Sequence, residues 1–237
     1  MAKGTLFLIP VPLSDDAAAG SFTHLYAQVI NEIDEYIVEN KKTARKFLKQ
    51  GGLTTAQSDL ILHDYGKHNR SAINYGEMFA SLLKGKDVGL MSEAGCPGVA
   101  DPGADIVAEA HRKGIRVVPL VGPSSILLAL MGSGFSGQNF SFHGYLPIHK
   151  SERATMIRAL EQRSAKEGST QLFIETPFRN NQLFSDLLKY CKAQTKLCIA
   201  SELTSADEFI VTKEMGAWKT SVPDLHKKPT IFLLFAR

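Results

Sequence analysis

Short apolar runs alternate with longer amphipathic stretches along the whole chain. The apolar run 5–9 is stopped by Pro10 and Pro12 and reads as a strand entering a loop. The pattern over 21–33 predicts a helix and 34–39 a second short strand. Residues 41–50 predict a helix that is basic apart from Phe47 and Leu48, ended by Gly51 and Gly52. A helical pattern follows over 75–83, and 88–91 reads as a buried strand. After the loop 92–103, Asp101 is expected as N-cap and Pro102 as first residue of a helix running to Lys113, with Gly114 as its stop. A strand over 115–120 completes a strand–loop–helix–strand unit, which implies a parallel pair. The helix 126–131 is apolar all round and is expected to be fully buried. Further strands fit 140–146, 170–175, 196–201, 209–212 and 230–235, and helices fit 152–163 and 179–192. The alternation predicts two α/β domains, 1–120 and 121–237.

Composition narrows the class. With 44% hydrophobic and 22% charged residues in 237, the chain is an ordinary globular one, neither disordered nor a coiled coil. The 27 Lys+Arg against 24 Asp+Glu leave a charge of only +3, so any nucleic-acid site must be a local patch. Cys96, Cys191 and Cys198 form neither a disulfide framework nor a C-x-x-C pair, so no structural metal is expected. No run reaches the ~18 apolar residues of a membrane span, and no signal-peptide pattern is present. A soluble cytoplasmic protein with reduced thiols and no membrane partner is expected.

The loop 92–103, SEAGCPGVADPG, carries the most chemistry. Glycines let backbone amides and carbonyls approach a ligand, and open α/β sheets bind ligands just after their strands. Tight-turn geometry alone explains the same glycines. The loop is neither a P-loop nor a G-x-G-x-x-G fingerprint. Its carboxylates Glu93 and Asp101 suit ribose hydroxyls or an ammonium better than a phosphate. Ser124 and Ser125 open the helix 126–131 and place donors at its N-terminus, where plain capping is the competing reading. His63, His68 and His143 lack metal-ligand spacing, and Cys96 has no local catalytic partner. The basic residues of helix 41–50, with Lys67 and Arg70, suit phosphate contacts, although most basic helices are simply solvated faces.

Together these segments resemble one family. SEAGCPGVADPG is similar to the S-D-A-G-T-P-x-x-x-D-P-G loop of the tetrapyrrole-methylase-like (class III) methyltransferases, nearest the small-subunit rRNA cytidine 2′-O-methyltransferase I branch. The likeness continues through GIRVVPLVGPSS at 114–125, GYLP at 144–147 and ETPFR at 175–179. The resemblance implies a two-domain α/β fold with S-adenosylmethionine (SAM) in the interdomain cleft, commonly in a homodimer. It carries the cofactor contacts to Pro10, Ser92, Glu93, Ala94, Gly95, Ser124, Ser125, Tyr145, Leu146 and Glu175, and names no catalytic base. RNA contacts are expected from Lys41, Lys42, Arg45, His68 and Asn69. The chain departs from the family in its first half. PVPLSD at 10–15 replaces P-T-P-I-G-N-L-x-D, ENKK at 39–42 replaces E-D-T-R, and LHDYGKHN at 62–69 replaces a compact L-H-x-H-N. The implied activity is RNA 2′-O-methylation in rRNA processing. Methylation of a tetrapyrrole-like small molecule, or SAM binding without catalysis, are the alternatives.

Overall fold

A computed structural model describes residues 2–66 and 74–237. The chain divides into two compact units, Met1–Ser124 and Ser125–Arg237.

The first unit is built on a five-stranded sheet of β1 (Thr5–Leu8), β2 (Glu35–Val38), β3 (Ile61–Asp64), β4 (Val88–Met91) and β5 (Arg116–Pro119). Its order is β3-β2-β4-β1-β5, and every pairing is parallel. The central strands β2 and β4 are buried at every residue, as parallel strands covered on both faces must be. One apolar cluster joins α2 (His24–Glu32) and α3 (Lys41–Gln50) to the sheet through Tyr26, Ile30, Tyr36, Phe47 and Leu48. A second gathers Phe79, Leu82, Ile106 and Ala110 around Leu6, Ile37 and Leu90.

Several elements depart from the sequence-based expectation. The edge strand β3 was not expected. Its residues, ILHD, are exposed or half-buried and lack a hydrophobic alternation. The short turns α1 (Ala18–Ser21) and α10 (Met215–Trp218) were likewise missed. The single helix expected over 75–83 is two short ones, α4 (Tyr75–Met78) and α5 (Ala80–Leu83), broken at the buried Phe79. Asp101 is not the N-cap of α6 (Gly103–Arg112), because Pro102 occupies that position. The Asp101 carboxylate still accepts the Gly103 N–H at 2.5 Å, and reaches back to the Gly98 N–H at 2.9 Å.

The second unit has β6 (Phe140–Tyr145), β7 (Thr170–Ile174), β8 (Lys196–Ser201), β9 (Phe209–Glu214) and β10 (Thr230–Phe235), ordered β6-β7-β10-β8-β9. Only β6 and β7 pair in parallel; the other pairings are antiparallel. α8 (Lys150–Glu167) and α9 (Asn180–Tyr190) cover one face through Ile157, Leu160, Leu183, Phe184 and Leu187. α7 (Ser125–Ser133) lies against β8, β9 and β10, where Thr212 donates to the Ser133 carbonyl at 2.8 Å. The expected full burial of this apolar helix does not occur. Ile126, Ala129 and Leu130 face inward, while Leu127 and Met131 are 52% and 78% exposed, because one sheet face covers only one side of a helix.

Candidate functional site

The carboxyl ends of the first unit's strands carry the loop 92–103. Ser92, directly after β4, is buried, and its hydroxyl lies 3.3 Å from the Ala94 carbonyl and 3.5 Å from that of Gly95. Glu93 and Ala94 turn outward and are exposed. Gly95 then turns the chain back at φ +72°, a region where a side chain is strained. It closes a two-bond bridge with Val11: Val11 N–H to Gly95 C=O at 2.9 Å, Gly95 N–H to Val11 C=O at 3.0 Å. The loop is thereby fastened to the residue after Pro10. Pro10 in turn packs against Gly122, where a Cβ would stand 2.2 Å from the Pro10 Cβ. Cys96 completes the tie, its thiol 3.3 Å from the Pro123 carbonyl. Residues 10–11, 92–98 and 122–123 therefore form one rigid backbone cradle.

Carboxylates surround this cradle. Glu39 follows β2, and its Oε2 accepts the Glu93 N–H at 3.1 Å, while its own N–H bonds the Met91 carbonyl. Tyr65 is buried behind the loop and donates to the same Met91 carbonyl at 3.1 Å. Burial, then Asp101, Glu39 and Glu93, push the Tyr65 phenol up, so it stays a neutral donor. Burial also raises the Asp101 carboxyl, against the lowering pull of the Gly103 and Gly98 N–H groups and Ser92. The Cys96 thiol is raised by burial and by Asp101, which disfavours a thiolate nucleophile. This set of carboxylate acceptors suits hydroxyls or an ammonium, not a bare phosphate.

Of the residues singled out from sequence, Pro10, Ser92, Glu93, Ala94 and Gly95 come together here. Ser124 closes the first unit, one residue past Pro123, and Ser125 is the first residue of α7 in the second. In the second unit Tyr145 sits opposite Ile174, so Leu146 and Glu175 emerge side by side at one sheet end, after a bulge between Phe142 and Tyr145. Tyr145 is exposed and Leu146 buried. The Glu175 carboxylate is buried, and its Oε1 accepts from Thr176 N–H at 2.7 Å and from Arg179 Nη2 at 2.7 Å and Nε at 3.1 Å. Lys41 and Lys42 are exposed on α3 and Arg45 is half-buried. His68 and Asn69 lie outside the described residues. His63 bonds Glu35 at 2.8 Å and His143 bonds Gln171 at 2.7 Å, each a pairing between neighbouring strands. Sequence reasoning missed Val11, Glu39 and Tyr65 as parts of the site. Only Glu39 left a trace, as an acid directly after a buried strand.

A parallel sheet with such a cradle at its carboxyl ends is the frame of an α/β enzyme that binds a small ligand through backbone and carboxylates. The model of the Tetrapyrrole (Corrin/Porphyrin) Methylases matches residues 25–217, and the chain belongs to this family: it is a methyltransferase with the two-sheet fold of that group. Similar curated proteins bear the name ribosomal RNA small subunit methyltransferase I. The one from Vibrio cholerae is 29% identical over 86% of this chain and 67% of its own length. The one from Mesorhizobium japonicum is 32% identical over 90% and 68%. The one from Escherichia coli O157:H7 is 27% identical over 92% and 72%. Among solved structures, the methyltransferase CobJ superposes with a TM-score of 0.63 at 16% identity, covering 99% of this chain and 94% of that one. Among the described residues no helix is long and apolar enough to cross a membrane.

Proposed function

We propose that this methyltransferase uses SAM to methylate a ribose 2′-oxygen of small-subunit rRNA. The observation that carries the reading is the likeness to proteins named for small-subunit rRNA methylation, extending over 86% to 92% of the chain. SAM fits the first unit's cradle on its own geometry. Glu93 and Ala94 are exposed, and the Glu93 carboxylate accepts no hydrogen bond among the described residues. When bound, SAM supplies a methyl group already activated on a sulfonium, so the protein's work is to position it and exclude water.

In this reading Pro10, Ser92, Ala94, Gly95 and Ser124 shape the first unit's cofactor surface, and Glu93 takes the ribose hydroxyls or the ammonium. Ser125, Tyr145 and Leu146 contribute from the second unit. Glu175 holds Arg179 and so fixes the turn 175–179. Lys41, Lys42 and Arg45 on α3 contact RNA phosphates. A homodimer is proposed as well, supported by the exposed Leu127 and Met131 one turn apart on α7. The three free thiols fit a cytoplasmic setting.

The test is transfer from labelled SAM to small ribosomal subunits taken from a strain lacking the gene, with the methyl group mapped on the RNA. One methylated 2′-oxygen, absent without enzyme, is expected. SAM binding without transfer to RNA would move the acceptor to a small molecule or leave a binding protein without catalysis.

A further inference from the structure

The second unit is charge-polarised along its strands. At the sheet end bearing Glu175, Ser201 and Phe209 border a cavity of about 590 Å³ lined by Glu202, Asp207, Glu208 and Asp224, and its one lining cation, Lys228, pairs with Glu202 at 3.7 Å. At the opposite end, where β8 begins and β9 and β10 finish, lies a larger cavity of about 810 Å³. The strands there are six residues long, so roughly 20 Å separates the two ends.

This second cavity is ringed by Lys166 from α8, Lys192 from the turn after α9, Lys196 from β8 and Arg237 after β10. All four are exposed, and none forms an ion pair among the described residues. Two carboxylates share the lining. Glu161 is buried and spent internally: its Oε1 accepts the Lys192 N–H at 2.8 Å and the Thr195 hydroxyl at 2.5 Å, which fixes the turn carrying Lys192. Glu214 alone is exposed, across the ladder from Lys196. Among the described residues, four cations without an ion pair against one exposed side-chain carboxylate leave a positive basin.

We propose that this basin is a second RNA contact, in which the lysines hold backbone phosphates of the acceptor RNA. The inference rests on the reading of RNA as the acceptor. A single small phosphate would require donors converging on one point, with backbone N–H groups free. Here the cations stand around a broad opening on flexible stems, and the Lys192 N–H is already taken. That arrangement suits several phosphates in a row, neutralised by counterion release.

The test uses the full chain with all three lysines changed, Lys166→Glu, Lys192→Glu and Lys196→Glu, and purified small-subunit rRNA as the probe. Affinity is measured across a potassium chloride series, with calorimetric SAM affinity as a control. The expected result is RNA binding at least roughly tenfold weaker, with a salt slope shallower by about 2 to 3, at ~0.7–0.9 per phosphate lost. SAM affinity should be unchanged. Wild-type RNA affinity and slope in this variant overturn the proposal. If the reversals also abolish SAM binding, the three Lys→Gln changes decide, and unchanged RNA affinity there overturns it. A wild-type chain that neither binds nor methylates rRNA overturns the acceptor reading itself, and this inference with it.

Discussion

Gly122 leaves no room for one more carbon, because its Cβ would fall inside Pro10. Gly122→Ala should therefore cost about 1–3 kcal/mol, the usual penalty of overpacking, read as a lower urea midpoint. Glu93 tests the opposite case, an exposed side chain in a residue whose backbone N–H is bonded to Glu39. Glu93→Gln should leave the urea midpoint in place while weakening SAM binding roughly tenfold to a hundredfold, the worth of a hydrogen bond to a charged group. Unchanged calorimetric affinity would remove Glu93 from the site. Asp101 gives a pH signature. Its carboxyl is raised by burial, so the folded chain holds that proton more tightly than the unfolded one. The associated stability is present below the unfolded value of about 4 and is lost as pH rises through the folded value. Asp101→Asn keeps the oxygen facing Gly98 and Gly103 without a charge to desolvate. Its stability relative to wild type should therefore improve as pH rises from 4 to 7, and a flat difference would show that burial does not govern this group. The loop itself was legible from its glycines and prolines. Its fastening to Val11 and its contact with Glu39 were not, because they join residues 84 and 54 positions apart.

At the scale of elements, the turn after Tyr145 and Leu146 depends on one buried pair. Arg153 of α8 gives Nε and Nη2 to Asp186 Oδ2 of α9 at 2.8 and 2.6 Å, and Nη1 to the Ile148 carbonyl at 2.7 Å. Asp186→Ala leaves that guanidinium buried without its counter-charge and should cost about 3–5 kcal/mol, far more than an exposed pair. α3 offers a milder test. The Asn40 side chain caps it through the Lys42 and Thr43 N–H groups at 2.9 and 3.1 Å, so Asn40→Ala should cost ~1 kcal/mol by urea denaturation. Strands such as β4 and β10 were legible because an apolar run has few other uses. β3 was not, because an edge strand needs no apolar face. The break at Phe79 and the exposed side of α7 were hidden for a related reason. Periodicity records which residues are apolar, and not how many neighbours the fold supplies.

At the scale of the molecule, each unit carries its own apolar core, and the single tryptophan lies in one of them. Trp218 is 1% exposed, donates Nε1–H to the Leu197 carbonyl at 3.0 Å and meets Phe184 edge-on at 5.8 Å. Its emission therefore reports packing in the second unit, whereas far-UV circular dichroism sums over both. Asp186→Ala, placed in the second unit, should move the tryptophan transition to lower urea. Gly122→Ala, placed in the first, should lower the circular dichroism midpoint and leave the tryptophan midpoint at its wild-type value. Two separated transitions in the second variant would make the division at Ser124 a division in stability as well as in geometry. Coincident transitions in both variants would instead mean that the chain unfolds as one two-state body. A weakened cradle around Gly95 would then be felt at Trp218, and a variant defective in SAM binding would need a stability measurement before its defect could be assigned to the site.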